Sequence, residues 1–506
     1  MKRILALIAV LCLLTGCTAP QVSDPTVGGV VNDPSIPQTV PGEEKGELRL
    51  PYNRDGSFQP FTSGDVNNRC LLPLIYQGLF TYDREYEVTP ILCKSYQVST
   101  DMRTYTFYLE KATFSDGQQV TALDVEASLR AAKNQGFYAG RFQHVKTIDA
   151  TSDGSVVIKL DTPCENLPIL LDVPIVKASQ VNDPVPLGTG PYLLEDTGDG
   201  KRLRRQPVWW CDAELAVEAQ IIPLYHGTTQ RELWDLYKFS GLSMVCTDAY
   251  VDFRGDYELW ESENGMFLYL SCNMKSNVFS KKAIRSALTH AIDRETLVNK
   301  QFRGFAHSAT LPASPEFPYY SETLAEKYGY KLEKFAQAVT EAQLEDNNVI
   351  LLVNRDDPLR THTALAIAEM LEAGGLAVTI PEVSGQDYIN ALKWEQYDLY
   401  LGQTKLSPNM DLTAFFAEDG DLNFGRISNV ASNALCKEAL ANSGNYQSLH
   451  KQVMEDGRIC PILFRSYAIY GRRGMFSLLS PSRDNIFFYT LGKTMETIRI
   501  TEEIQE

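Results

Sequence analysis

Beyond residue 14 the 506-residue chain has no unbroken apolar stretch approaching the roughly 18 residues that a membrane span needs. Positive charge is scarce as well, with 47 Lys and Arg against 64 Asp and Glu and a formal net charge of −17. Such a chain repels polyphosphates and anionic lipid, which argues against nucleic acid as a partner and against wide contact with a bilayer. The spacings that mark metal and hydrolase chemistry are missing: no C-x-x-C, no Cys/His cluster at zinc spacing, no H-E-x-x-H and no G-x-S-x-G occurs. The six histidines, His144, His226, His290, His307, His362 and His450, stand apart from one another in sequence. EDGDLNFG (418–425) sets Asp419, Asp421 and Asn423 at alternate positions, but lacks the glycine at the sixth position and has Val430 at the twelfth, where a calcium loop needs glutamate. No metal and no cofactor is therefore expected.

Cysteine is present but unpatterned. Two of the ten lie in the first 17 residues, and Cys70, Cys93, Cys164, Cys211, Cys246, Cys272, Cys436 and Cys460 are scattered. Buried free thiols and one or two disulfides both remain open. The chain opens MKRILALIAVLCLLTGCTAP: two cations, an apolar run from Ile4 to Leu14, then Thr15, Gly16 and Cys17. This is the plan of an export signal, and its L-T-G-C end resembles a bacterial lipoprotein signal. That resemblance implies removal of 1–16 and acylation of Cys17. Residues 18–46 mix Pro, Gly, Ser, Thr and Asp without apolar period and read as a flexible stalk, holding a body that starts near Glu47 about 30 Å from the membrane. A body of this length splits into two or three cores.

Within the body, TYTFYLE (104–110) alternates as a strand, and 121–134 reads as a helix with Thr121 as N-cap and Asp124 in the first turn. The stretch 280–302 reads as one amphipathic helix with Ser280 as cap and Gly304 as stop, carrying His290 as a structural histidine. KRLRRQ (201–206) reads as a solvated strand end, and Trp209 and Trp210 as packing residues. The most legible stretch runs from 348 to 402: strand 349–353, helix 359–375, strand 376–382, helix 386–396 and strand 397–402. These lengths predict a parallel α/β unit with right-handed crossovers. Ligands of open α/β sheets lie beyond the carboxyl ends of strands, which here means Gly402, Gln403, Thr404 and Lys405.

FSDGQQVTALDVEASL (114–129) resembles the signature of the extracellular solute-binding proteins of oligopeptide, dipeptide and nickel ABC importers. LIYQGLFTYD (74–83), LGTGPYLLE (187–195), RRQPVWW (204–210) and 267–298 resemble further blocks of that family in its order. Most of these residues read as structural: Gly117 and Gly190 for tight turns, Asp293 and Arg294 as a pair or cap within their helix. The resemblance implies an α/β, two-lobed periplasmic-binding-protein-like fold with mixed sheets and an inserted subdomain in the first lobe. It divides the chain into a discontinuous lobe I (47–68, 180–262 and 463–506), the subdomain (69–179) and lobe II (263–462). It further implies closure on a ligand without catalysis, delivery to an ABC permease and its ATPase, an extracytoplasmic place anchored through Cys17, and a monomer. A ligand-sensing receptor for a signalling partner is the alternative, and an extracytoplasmic enzyme a more distant one.

For the site, the resemblance points to LPYNRDGSFQPF (50–61), hence Tyr52, Asn53 and Arg54, and to Asn273 and Met274 at a strand end; a hinge or packing role is the alternative for each. Peptide-binding relatives typically carry Gly-Trp-x-x-Asp where this chain has Gly402-Gln403-Thr404-Lys405-Leu406. Leu406 then stands where the aspartate receives a peptide ammonium. A buried ammonium without that partner loses about 3–5 kcal/mol, more than a hundredfold in affinity. Either Asp411, the nearest acid, takes the role, or the ligand is anionic or lacks a free amine.

Overall fold

The computed structural model describes residues 48–487 apart from 135, 199, 212–218, 228, 240, 248–254 and 477–478. The leader, Cys17 and the stalk lie outside the described residues. Two strands far longer than the rest organise the molecule, Glu258–Cys272 and Ile459–Gly471. They pair antiparallel along most of their length and belong to a seven-stranded sheet. One end of the pair, at Glu258–Glu263 and Ser466–Gly471, is flanked by Met244–Thr247. The other end carries Leu399–Lys405 on Phe267–Cys272 and Met266. A register shift between Glu263 and Phe267 separates the two ends, and Gly265 sits inside it at φ +74°.

The first end adjoins a four-stranded sheet in the order Leu50–Tyr52, Ile221–His226, Lys201–Arg205, Tyr192–Asp196. KRLRRQ forms a strand as expected, its charges met by Glu195 and Asp196. Trp209 and Trp210 both donate to the Thr189 carbonyl, which fixes them as packing residues. The segment between holds a second four-stranded sheet, Cys93–Val98, Thr104–Leu109, Val156–Leu160 and Val145–Ala150. Tyr105 and Phe107 point inward from it at the strand period of two. Helix Ala122–Asn134 covers this sheet with Val125, Leu129 and Ala132. At its start the Asp124 carboxylate accepts from Thr121 N and Oγ1 at 2.9 and 2.7 Å, the reciprocal half of a capping box. Gly117 turns at φ +83°, and a Cβ on Gly190 would lie 2.5 Å from the Ile75 carbonyl carbon.

In the second lobe, Asn348–Leu352 pairs parallel with both Ala377–Thr379 and Leu399–Lys405, joined by helices Pro358–Ala373 and Gly385–Lys393. The α/β unit has the expected order of elements, but the strand expected over 376–382 is formed only at Ala377–Thr379 and the last strand is longer than expected. The last strand runs on to Lys405, because Glu258–Cys272 offers antiparallel partners to Gln403, Thr404 and Lys405, so these residues are not in a loop. The segment 280–302 is not one helix. It forms Lys282–Leu288, a 3-10 turn Thr289–Ala291, extended Ile292 and a second helix Arg294–Gln301, with Lys281 rather than Ser280 at the first N-cap. Asp293 caps the second helix, accepting from Thr296 N at 3.0 Å, and Arg294 turns inward to donate to the Thr289, Ala309 and Pro461 carbonyls. The break frees carbonyls that the buried guanidinium needs. Cys70, Cys93, Cys164, Cys272, Cys436 and Cys460 are free, buried thiols. Among the described residues no helix is long and apolar enough to cross a membrane.

Candidate functional site

A cavity of about 610 Å³ lies between residues 69 and 133–143 on one side and residues 266 and 404–422 on the other. Arg69, Phe137 and Arg141 line it from the first side, Thr404, Lys405 and Ser407 from the second. The positions follow from the strands. Thr404 and Lys405 stand opposite Phe267 and Met266, so the strand end that the α/β unit aims at the cleft is braced on the long strand.

Lys405 does not point freely into this space. Its Nζ donates to Asp484 Oδ2, whose other oxygen accepts from Arg69 Nη2 and from Tyr467 OH, the latter at 3.1 Å. The Phe137 ring lies between the two cations, with Arg69 Cζ at 4.2 Å and Lys405 Nζ at 4.8 Å from its centroid. Burial pushes the Lys405 ammonium well below its usual value; Asp484 opposes this, while Arg69 and Arg483 add to it. Burial would raise Asp484, but Arg69 and Lys405 hold its carboxyl far below the usual range. Leu406 is buried in the core and donates its N–H to the Gly265 carbonyl.

Asp411 borders the same cavity, but its oxygens are occupied. Gln143 Nε2 and His144 Nε2 reach Oδ2, the latter at 2.9 Å, while Thr413 N and Oγ1 donate to Oδ1 at 2.8 and 2.7 Å. The expected substitute for an ammonium receptor is instead held by Gln143 and His144, which ties the segment after Lys405 to residues 143–144. Burial raises Asp411, yet His144 and Thr413 bring its carboxyl below the usual value, and Asp411 in turn lifts His144 against the effect of burial.

The remaining expected residues hold the frame. Gly402 allows the Tyr269 and Tyr400 rings to meet over it, since a Cβ there would be 2.5 Å from Tyr269 Cζ. Gln403 accepts from Arg465 Nη1 at 3.0 Å. Tyr52 is buried against Phe58 and His226. Asn53 builds the following loop through Asn68 and Asp65, and Arg54 is exposed. Asn273 donates to the Glu395 and Tyr397 carbonyls, and Met274 N to the Gly425 carbonyl, which ties the long strand to the α/β unit. None of Tyr52, Asn53, Arg54, Asn273 and Met274 lines the cavity.

Arg69, Phe137, Arg141, Arg483 and Asp484 were not visible as site residues. Arg69 carries a weak signal, a lone cation in the mostly buried helix Val66–Ile75. The others carry none, because their partners lie on other elements of the fold, as Asp172 does for Arg141, Leu406 for Arg483 and Lys405 for Asp484. The arrangement can hold a polar or anionic solute between lobes joined by two continuous strands.

Residues 87–421 match the profile of the bacterial extracellular solute-binding proteins, family 5 Middle. The glutathione-binding protein GsiB of Salmonella choleraesuis is 28% identical over 294 residues, 52% of this chain and 55% of that protein. The match thus spans about half the length of such curated relatives. The crystal structure of a putative peptide-binding protein AppA from Clostridium difficile superposes with a TM-score of 0.72 at 17% identity, covering 87% of this chain and 98% of the other. The ABC transporter substrate-binding protein CtaP of Listeria monocytogenes gives 0.71 at 17% identity, covering 87% and 97%. With its two-lobed mixed α/β fold and a profile match over most of the body, the chain belongs to the bacterial extracellular solute-binding proteins of family 5.

Proposed function

We propose that this chain is a receptor that closes its two lobes over a peptide or other small solute and delivers it to an ABC permease and its ATPase, held at the outer face of the membrane by a lipid on Cys17. The observation that carries the reading is the 610 Å³ cavity between lobes connected through the bulged pair of long strands. A bulge with a glycine at positive φ is a point where two rigid ends can change their angle with few dihedral changes. The proposed lobe boundaries, 262/263 and 462/463, fall on these two strands, the first just before Gly265 and the second where Leu463 stands opposite Leu268. The relatives named for glutathione and peptide binding support a small polar solute, and the cations Arg69 and Lys405 favour one with an anionic group over one that relies on a free ammonium. Thr404 and Lys405 are the proposed contacts from the second lobe.

A thermal-shift screen of glutathione, free and amidated peptides, metal chelates and small acids tests the reading. A ligand at a hundred times its dissociation constant adds about 2.7 kcal/mol, and solution scattering should show a smaller radius of gyration in its presence. Tight binding with an unchanged scattering curve would remove closure from the account. Cys17→Ser should release the protein from the membrane fraction; retention there would remove the tether.

A further inference from the structure

Beside the 610 Å³ cavity an imidazole joins its two walls. His144 follows directly on Gln143, which lines the first wall, and its Nε2 lies 2.9 Å from Oδ2 of Asp411, which lines the second. Its Nδ1 lies 3.4 Å from Asp161 Oδ1. The Asp161 N–H donates to the His144 carbonyl at 3.0 Å, so this second carboxylate belongs to the histidine's own side. An imidazole with a carboxylate at each nitrogen can donate to both only as imidazolium. Thr413 sets the direction of Asp411: its N and Oγ1 occupy Oδ1 and leave Oδ2 for Gln143 and His144. The Asp411 side chain is 4% exposed and that of Asp161 57%, so the bond across the cavity is the one that water screens least.

The surrounding charges are engaged elsewhere. Arg141, on the turn before, is bound to Asp172, Lys133 Nζ donates to the Val145 carbonyl, and Lys146 is exposed. Cys164, Cys436 and Tyr446 face Asp411, and burial raises all three above their usual values, which keeps them uncharged. Arg84 with Glu316 at 3.1 Å, and Glu165 with Ser443 at 2.8 Å, also join residues 84–165 to residues 316–443. Neither contact contains a histidine, the side chain whose ordinary titration falls between pH 5 and 8. They support closure, while His144 makes it depend on pH.

We infer that His144 is a proton-operated latch: as imidazolium between Asp161 and Asp411 it holds the two walls of the cavity together, and loss of its proton releases them. The inference rests on the receptor reading and adds a regulation to it, since what the latch governs is access to the cavity. Its sign follows from the two partners. Burial acts downward on His144, but Asp411 and Asp161 lift it above 6.5; burial acts upward on Asp411, but His144 and Thr413 hold it below 3.8. When the walls separate, His144 loses Asp411 and Asp411 loses His144. The latch is therefore at full strength between the ordinary values of 3.8 and 6.5, weakens as pH rises through the lifted His144 value, and weakens again as pH falls below 3.8. By linkage, a solute that closes the cavity at higher pH makes the chain take up a proton at His144.

The test uses the mature chain with no solute added. Its radius of gyration in solution scattering should be smaller at pH 5.5 than at pH 9. Histidine NMR should show the imidazole that is lost in His144→Gln titrating above 6.5. In His144→Gln the radius should be the larger one at both pH values. Asp411→Asn should behave likewise and bring the His144 titration down towards 6.5; it serves if the first variant does not fold by circular dichroism. The latch is overturned if the parent has the same radius at both pH values, if both variants keep the parent's change, or if His144 titrates at or below 6.5. Failure of the receptor reading looks different: the radius changes with pH through His144, but no solute of the thermal-shift screen binds. Conversely, a solute that shrinks the parent with equal affinity at pH 5.5 and pH 9 keeps the receptor and removes the latch.

Discussion

Arg294 and Arg483 are both buried arginines, 5% and 6% exposed, and their surroundings are opposite. Every nitrogen of Arg294 has an oxygen partner: Nε on Ala309 O and Pro461 O, Nη1 on Thr289 O and Ile292 O, Nη2 on Thr289 Oγ1 and Pro461 O. Arg483 has one such partner and two empty donors beside a cavity. The first arginine closes a gap in the backbone hydrogen bonding of the second lobe. The second leaves a gap that the protein's own groups do not fill. Burial of a charge therefore says little by itself; the two residues differ in how many of their donors the protein meets.

The comparison breaks most severely at Arg294. Arg294→Leu leaves the Thr289, Ile292, Ala309 and Pro461 carbonyls without a donor, and at about 1–3 kcal/mol for each buried orphan the loss should exceed about 4 kcal/mol in urea unfolding. A loss below about 1 kcal/mol would mean that water replaces the guanidinium. Asp484→Asn comes next. It removes the negative charge between Arg69 and Lys405, and breaking a buried pair in this way costs about 3 kcal/mol or more. An unchanged urea midpoint would show that the cations do not depend on it.

A third prediction concerns the bulged long strand, where Glu263 is 4% exposed and, among the described residues, accepts a hydrogen bond from Ser314. Burial lifts its carboxyl from 4.5 to about 7. At His307 burial acts downward, but Glu261 at 3.2 Å outweighs it and lifts the imidazole from 6.5 to about 9. In both cases the folded protein holds a proton that the unfolded chain releases. The Glu263 contribution is full below pH 4.5 and falls as pH rises towards 7; that of His307 is full below 6.5 and falls as pH rises through 9. Asp411 and Asp484, held low, act in the opposite sense and lose their contribution only below about 3.8. Stability should therefore decline from pH 5 to pH 9. Glu263→Gln should raise it by about 3 kcal/mol at pH 8, given about 1.4 kcal/mol per pKa unit, and leave it unchanged at pH 4. An equal effect at both pH values would assign the gain to packing.

The smallest effect is expected at Arg483 itself. Without ligand, Arg483→Met removes a buried cation that Glu263 and Asp484 face and one hydrogen bond to Leu406, and the stability should fall by about 1 kcal/mol. A loss as large as that of Arg294→Leu would erase the distinction between the two residues.

Sequence alone determined what depends on local period and spacing. The 348–402 stretch carries its strands and helices within a single 55-residue window, each with its own cap or glycine stop, so periodicity and turn chemistry were enough. Thr121 with Asp124, Asp293 as a cap and the packing role of Trp209 and Trp210 were legible for the same reason. The broken 280–302 helix was not, because the apolar face continues across the break and its cause, Arg294, finds its acceptors at Ala309 and Pro461. Nor could strand length at Gln403–Lys405 be read, since its antiparallel partner lies more than 130 positions upstream. Lys405 was legible as a residue at the cleft, but Asp484, 79 positions away, decided that its ammonium is held by the protein. Asp411 was legible as an acid nearby, and His144, 267 positions away, decided that it clasps rather than receives. The charge cluster as a whole belongs to tertiary structure alone: Coulombic and hydrogen-bonding partners are set by distance in space, and the fold gathers Arg69, Arg141, Lys405 and Asp484 from four separate stretches of chain.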